Sequence, residues 1–430
     1  MIKPSFFAKT SPFDHTQSRV FHRFFQVIAA GTILAMIGII VYYLYAFAAL
    51  HNGSHSFDWL LGIFSDFVAI MSISLGESPY LVEGASYPPL AIMILYPFAL
   101  ICKNAIHAHS ATTTDIDTFT SKVVLDPSFW VALLLFFILC SLAIILIVIK
   151  TYGLDLRNSL KLAITVLFGA PFVFAVMRGN TIYFALIFLL LFLLLYQSKN
   201  AVVREIAYFC LVLAGAIKIY PLFFGVFLLH KKKIFAAFRI AVYSFALFFL
   251  SFFLFEAGWG DVSPFLQNLG NFASSEKLLL GMTNLSLTSV LYKLVYLVSP
   301  IAASSTAFNV VQLTLIILLF LFCTILAVRT NSHFSRSLIA STIILLLPSI
   351  SYFYVLIFML IPLMEFFKHY NSFSRPKQIR CLILFGCLFF TPLLLIKCFI
   401  PHSLIVMLLL GFECKDVLST EGFLVSKKSA

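Results

Sequence analysis

Residues Phe129 to Ile149 read FWVALLLFFILCSLAIILIVI, 21 consecutive positions without one charged side chain. As a helix rising about 1.5 Å per residue, this run matches a bilayer core of about 30 Å. It decides the class of the fold because it is not alone. Apolar runs near this length recur between Phe24 and Leu410, and the 430-residue chain is 62% hydrophobic and only 11% charged. An ordinary soluble domain has about 45–50% and about 25%, so a soluble fold is excluded. At about 20 residues per crossing, the runs predict an all-α polytopic membrane protein with ten to thirteen transmembrane helices.

The charge balance follows from the same placement. Twenty-nine Lys+Arg against 17 Asp+Glu give +12, which in a soluble protein would suggest nucleic acid. Here the basic residues flank apolar runs, as in Lys231-Lys232-Lys233 after His230, the pattern of loops retained in the cytoplasm. No nucleic-acid partner is expected. The eight cysteines show no CxxC and no His at ligand spacing, so neither a disulfide framework nor a metal site is expected. No cofactor is expected either.

Working outward, residues 1–23 read as a basic cytoplasmic tail, 24–412 as the membrane domain and 413–430 as a second cytoplasmic tail. The run from Phe24 to Leu50 is too long for a signal-peptide core and lacks a small-residue cleavage pattern, so it reads as an uncleaved first span. From His51 to Tyr87 the chain carries Asp58, Asp66, Glu77 and Glu83 but no Lys or Arg, which places this loop outside. Basic loops at 150–161, 199–204, 230–233, 329–336 and 368–380 belong inside; net acidic 104–126 and 257–282 belong outside. Satisfying all of them requires 88–103 and 283–300 to dip without crossing, or some loops to violate the rule; about twelve crossings with both termini cytoplasmic is the preferred reading. Several runs are interrupted by Pro97, Pro171, Pro221 and Pro362. After Ser65-Asp66, Phe67, Ile70, Met71 and Leu75 fall near helical spacing, predicting a short amphipathic helix on the membrane surface.

In so apolar a chain, polar groups at span ends carry the information, since each costs free energy unless it lines a cavity or finds a partner. Four groups stand out: Asp58 and Asp66 with the later Pro79-Tyr80 and Tyr87-Pro88-Pro89; Arg178-Gly179-Asn180-Thr181; Lys218-Ile219-Tyr220-Pro221; and Ser351-Tyr352-Phe353-Tyr354. Lys218 sits between two apolar halves that are each short for a span, predicting a broken or re-entrant helix that lines a cavity.

At these residues the chain resembles the polytopic glycosyltransferases of family 87, in the GT-C superfamily. The resemblance runs over about residues 55–300: Asp66, Pro79-Tyr80, Tyr87-Pro88-Pro89-Leu90, Gly179-Asn180, then Ala214-Gly215-Ala216-Ile217-Lys218-Ile219-Tyr220-Pro221-Leu222 before Lys231-Lys232-Lys233. The K-x-Y-P-L stretch is its most specific piece. Two motifs depart from the family pattern. Where the family often has G-Q-x-N this chain reads Arg178-Gly179-Asn180-Thr181, and where it has a late S-W-x-H this chain has Tyr354 in place of the His, so no role for that His carries over.

The resemblance implies an inverting, metal-independent transfer of a hexose such as mannose, from a polyprenyl-phosphate sugar to an envelope glycolipid or glycan, at the outer face of the plasma (inner) membrane. Asp66 would be the general base, with Asp58 as a second candidate. Arg178 and Lys218 would hold the donor phosphate. Asn180, Tyr80, Tyr87, Tyr220 and Tyr354 would contact substrate, the tyrosines by stacking on sugar faces. The residue types suit that chemistry. A sugar hydroxyl needs its proton removed as it attacks, and the departing lipid phosphate gains charge that a fixed cation stabilises.

Competing readings exist for several of these residues: Asp66 as a helix cap with Ser65, Lys218 as a snorkelling span-end lysine, Arg178 as an interfacial anchor. A transporter or flippase is the rival class for the whole chain, but such proteins usually carry internal repeats and mid-membrane ionisable groups, and no repeat is visible. A non-catalytic scaffold is a third class. Asp115-Ile116-Asp117 spells a D-x-D, and Asn52-Gly53-Ser54 and Asn284-Leu285-Ser286 spell sequons. No function is attached to these short patterns.

Overall fold

The prolines that interrupt the apolar runs become starting points of new helices. Pro97 opens Tyr96–Ile101, Pro171 opens Ala170–Arg178, and Pro221 lies in the 3-10 turn Tyr220–Gly225. In the first helical turn the missing N–H costs nothing, because that donor has no intrahelical partner in any case. Longer helices begin on capping side chains. Asp126, Asn200 and Ser332 accept from backbone N–H groups ahead of Pro127–Tyr152, Ala201–Ile217 and His333–Leu346, each cap contributing about 1 kcal/mol.

The structure is a computed structural model describing residues 15–50, 64–76, 78–81, 85–110, 116–281, 283–390 and 400–420. Asp58, Glu77, Glu83, Asp115 and the 52–54 sequon lie outside the described residues. Among the described residues there are helices, turns and one isolated β-bridge, Asn284 to Tyr352, but no strand. The chain is therefore an all-α membrane protein. Three helices, Pro127–Tyr152, Ile234–Leu254 and Thr306–Arg329, are long and apolar enough to cross a bilayer. Two bent pairs, Pro89–Ile101 with Lys103–His109 (94°) and Leu156–Val166 with Ala170–Arg178 (51°), meet that test only jointly. Five further apolar helices, among them Ile182–Leu195 and Tyr220–His230, have 10–17 residues. The segment from Pro89 to His109 is bent by 94°, and Leu287–Val298 is a short helix of 12 residues.

The surface is apolar where lipid would lie. Trp130, Leu134, Leu139 and Leu146 of the first continuous span are exposed, while Phe129, Phe136, Cys140, Ile144 and Val148 on its other face are fully buried. Such faces are stable only in a hydrocarbon solvent.

One expectation changes. Ser65–Ser74 does form a helix, but Phe67, Val68, Ile70 and Met71 are fully buried and Ser74 bonds back to the Met71 carbonyl. Its Phe67 ring meets those of Phe98, Phe129 and Phe136, so it is wedged into protein instead of resting on lipid. Helices His15–Leu50 and Ile400–Thr420 run through positions 23/24 and 412/413. Both ends of the described chain are tied into the bundle. Gln17 donates to the Lys368 carbonyl, and Glu413 and Asp416 pair with Lys377 and with Lys377 and Arg380 respectively.

The basic loops gather at one end. Lys150, Ser198, His333 and Lys368 line one cavity there, and His230 bonds to the Val328 carbonyl beside Arg329. Ile182–Leu195 runs toward that end, Ala201–Ile217 runs back from it, and the opposite termini of these helices adjoin Asn180 and Lys218. In a background without native cysteines, Cys introduced at exposed Lys232 and at exposed Asn271 should react with an impermeant maleimide from opposite sides of the membrane. Labelling of both from one side would contradict the arrangement.

Candidate active site

Gly179 ends the Ala170–Arg178 helix with φ +57, a left-handed conformation that glycine adopts without steric cost. A Cβ built there would collide with the Phe67 side chain. The absence of a side chain lets Ser65–Ser74 lie directly against the turn, and the neighbours of that contact, Asp66 and Arg178, meet. Arg178 donates from Nε to Asp66 Oδ2 at 3.0 Å and from Nη2 to Oδ1. This is a two-point fork, the strongest geometry available to an Arg–carboxylate pair.

Asn180 completes it. Its side-chain amide donates to Asp66 Oδ2 at 3.3 Å and to the Tyr87 hydroxyl at 3.2 Å, while its Oδ1 accepts the Ile182 N–H. Two donors and one acceptor are thus engaged, and Asn180 is fully buried. It holds Asp66 in this arrangement, with its amide engaged by protein partners. Asp66 lies in the first turn of its helix, but the cap position is Phe64 and no side chain caps. Its oxygens point to Arg178 and Asn180 instead.

Lys218 comes from a different break. Ala201–Ile217 stops there in extended backbone, φ -143 and ψ 123, and the chain re-enters through Tyr220–Gly225. Its Nζ stands 4.2 Å from the centre of the Tyr87 ring, and Lys218 forms no ion pair among the described residues. Asp66, Tyr87, Arg178, Lys218, Tyr220, Tyr352 and Tyr354 together line a cavity of about 370 Å³.

The remaining tyrosines divide. Tyr220 lies edge-on to Phe358, and Tyr354 stacks on Phe174 with ring centres 6.3 Å apart; both reach the cavity. Tyr80 does not. It is 1% exposed, enclosed by Phe252, Phe255 and Phe265, and its hydroxyl donates to the Tyr87 carbonyl at 2.7 Å. In this arrangement Tyr80 supports Tyr87.

Sequence reasoning missed three contributors. Tyr352 lines the cavity two residues before Tyr354; its motif was visible, its direction was not. Phe265, Leu269 and Phe272 form a further wall, from a helix whose Asn268 binds the Tyr80 carbonyl. The third is Asn284, which reads as a sequon but is 1% exposed. Its side chain bonds to Leu278 O, Ser349 O and Ser351 N. It anchors the turn that presents Tyr352, and its amide is not available to a glycan.

Gly179→Ala should lower the melting temperature and abolish the Asp66–Arg178 geometry, because left-handed backbone and the Phe67 contact both oppose a Cβ. The strain of that backbone alone is about 1–2 kcal/mol. Gly225→Ala is the control, since a Cβ there meets nothing within 4 Å. Equal melting behaviour of the two variants would show that the close approach is dispensable.

The family model of glycosyltransferase family 87 matches residues 86–349, well over half of the chain, including Tyr87, Arg178, Asn180 and Lys218. No curated protein and no solved structure matches the chain. The carboxylate, cations and tyrosines thus converge in a protein whose family is shown by its sequence: the chain belongs to glycosyltransferase family 87.

Proposed function

We propose that this membrane glycosyltransferase moves a hexose, mannose on family grounds, from a polyprenyl-phosphate donor to a glycolipid or glycan acceptor at the extracytoplasmic face of the plasma membrane. One observation carries the lipid donor. The polar cavity shares Ile219 and Tyr220 with an apolar groove of about 590 Å³, walled by Phe223, Ile240, Phe320 and Ile344. An amphiphile whose phosphate meets Lys218 would have an apolar channel for its isoprenoid chain starting within two residues. Orientation follows from charge: the cavity is at the end opposite the basic loops, which the positive-inside rule assigns to the cytoplasm. Gln17 and Glu413, tied to the basic end, support cytoplasmic termini.

The acceptor hydroxyl attacks the anomeric carbon from the side opposite the phosphate, so the configuration inverts. Its proton passes to Asp66 as the carbon–oxygen bond to phosphate breaks, and the bonding pair leaves on the polyprenyl phosphate. Arg178 uses two of its five N–H groups on Asp66, which leaves its other edge for a phosphate oxygen. Lys218 adds a point charge. Together they supply the positive charge that the leaving group requires, so the step is metal-independent.

With purified protein in nanodiscs, a radiolabelled polyprenyl-phosphate hexose and envelope glycolipids, Asp66→Asn should fold and insert but lose about 10²- to 10⁴-fold in turnover. Lys218→Gln should raise donor KM. Arg178→Lys keeps charge but cannot bridge two anions and should lose most activity. Undiminished turnover in Asp66→Asn would move the base elsewhere. Transfer from a nucleotide sugar but not from the lipid donor would overturn the donor assignment.

A further inference from the structure

We propose that Tyr87 is a positioning residue that sets the phosphate-binding cation with its ring and the base with its hydroxyl. The inference rests on the function proposed above and departs from the sugar-stacking role expected for Tyr87.

Three contacts fix it. The Lys218 ammonium lies over one face of the ring at 4.2 Å, the hydroxyl accepts from Asn180 at 3.2 Å, and the backbone carbonyl accepts from Tyr80 at 2.7 Å. The backbone is further restricted because Tyr87 precedes Pro88, which disfavours helical torsions, and Pro89 opens the next helix. Tyr80 is itself clamped by three phenylalanine rings and by Asn268. A rigid ring is thus presented to a flexible lysine.

Lys218 needs such a partner. With no ion pair among the described residues, a four-carbon stem carrying a point charge has many rotamers, and an aromatic face selects one of them. On its other side Tyr87 reaches Asp66 only through Asn180, whose second amide hydrogen goes to Oδ2. Ring and hydroxyl therefore serve opposite ends of the reaction, and substitutions can separate them.

The first readout is binding of a polyprenyl phosphate without sugar, which does not depend on turnover. Tyr87→Leu should weaken it about tenfold, the scale of a desolvated cation–π contact. Tyr87→Phe and Tyr87→Trp, which keep an aromatic face, should bind within about twofold of wild type. Lys218→Gln combined with Tyr87→Leu should bind no more weakly than Lys218→Gln alone. The second readout is transfer: Tyr87→Phe should lose about tenfold in kcat with donor KM nearly unchanged, whereas Tyr87→Leu should raise donor KM. Equal binding losses in Phe and Leu variants, or independent losses in the double variant, would overturn the inference. If Tyr87→Leu does not fold, Tyr87→Phe decides: weakened phosphate binding there would sink the ring's role. Wild-type protein that binds polyprenyl phosphate but transfers no sugar would count against the proposed function and leave the ring–lysine test intact.

Discussion

The site depends on the pairing of Asp66 with Arg178. Asp66 and Arg178 both line the cavity, and their pairing is two-point and charge-assisted, the strong form of such a bond. The fork therefore locks together two segments that meet nowhere else in sequence: the helix Ser65–Ser74 and the end of Ala170–Arg178. Gly179 permits the approach, Phe67 fills it, and Asn180 takes up the remaining donor capacity. Everything placed around the cavity is measured from this contact.

Broken helices supply the other half. A continuous span satisfies its own backbone but offers lipid only side chains. A break exposes polar backbone, tolerated at membrane depth only where it is buried in protein or lines a cavity. Lys218 and Pro221 produce such a break, with the Lys218 N–H still bonded to the Ala214 carbonyl. A second turn, Ser349 to Tyr352, is held by Asn284. The cavity is where these interruptions face each other, and the intact spans around them form its rigid frame.

Much of this was legible in the sequence, for reasons that differ residue by residue. The helical membrane fold follows from apolar run length. Lys218 was legible because a cation before Tyr-Pro in an apolar run has few structural uses, and Gly179 because a small turn residue between apolar runs marks a sharp stop. The Asp66–Arg178 pair was not, since 112 residues separate the partners and no periodicity links them. Asn180 and Tyr80 were picked out by residue type as substrate contacts, and in the structure they bond to Asp66 and to the Tyr87 carbonyl. Residue type says that a side chain can bond, but whether it meets substrate or a neighbour depends on which face is covered. The embedding of Ser65–Ser74 was hidden for the same reason, because its apolar stripe suits lipid and protein equally.

Polarity in a cavity is by itself weak evidence for a substrate site in this protein. The basic end holds a larger cavity, about 450 Å³, lined by Lys150, His333, Glu365 and Lys368. Its charges are mutually engaged: Tyr152 donates to Glu365 at 3.1 Å, His369 lies 3.5 Å from the same carboxylate, and the Lys368 ammonium sits 5.8 Å from the Tyr152 ring. It shares no lining residue with the apolar groove. The cavity at the other end differs on both counts. Its lysine has an aromatic face and no ion pair among the described residues, and two of its lining residues also line the apolar groove. A cation that adjoins an apolar groove suits an amphiphile with an anionic head, which is why the lipid-phosphate donor is proposed at this end of the bundle and not at the one whose charges engage each other.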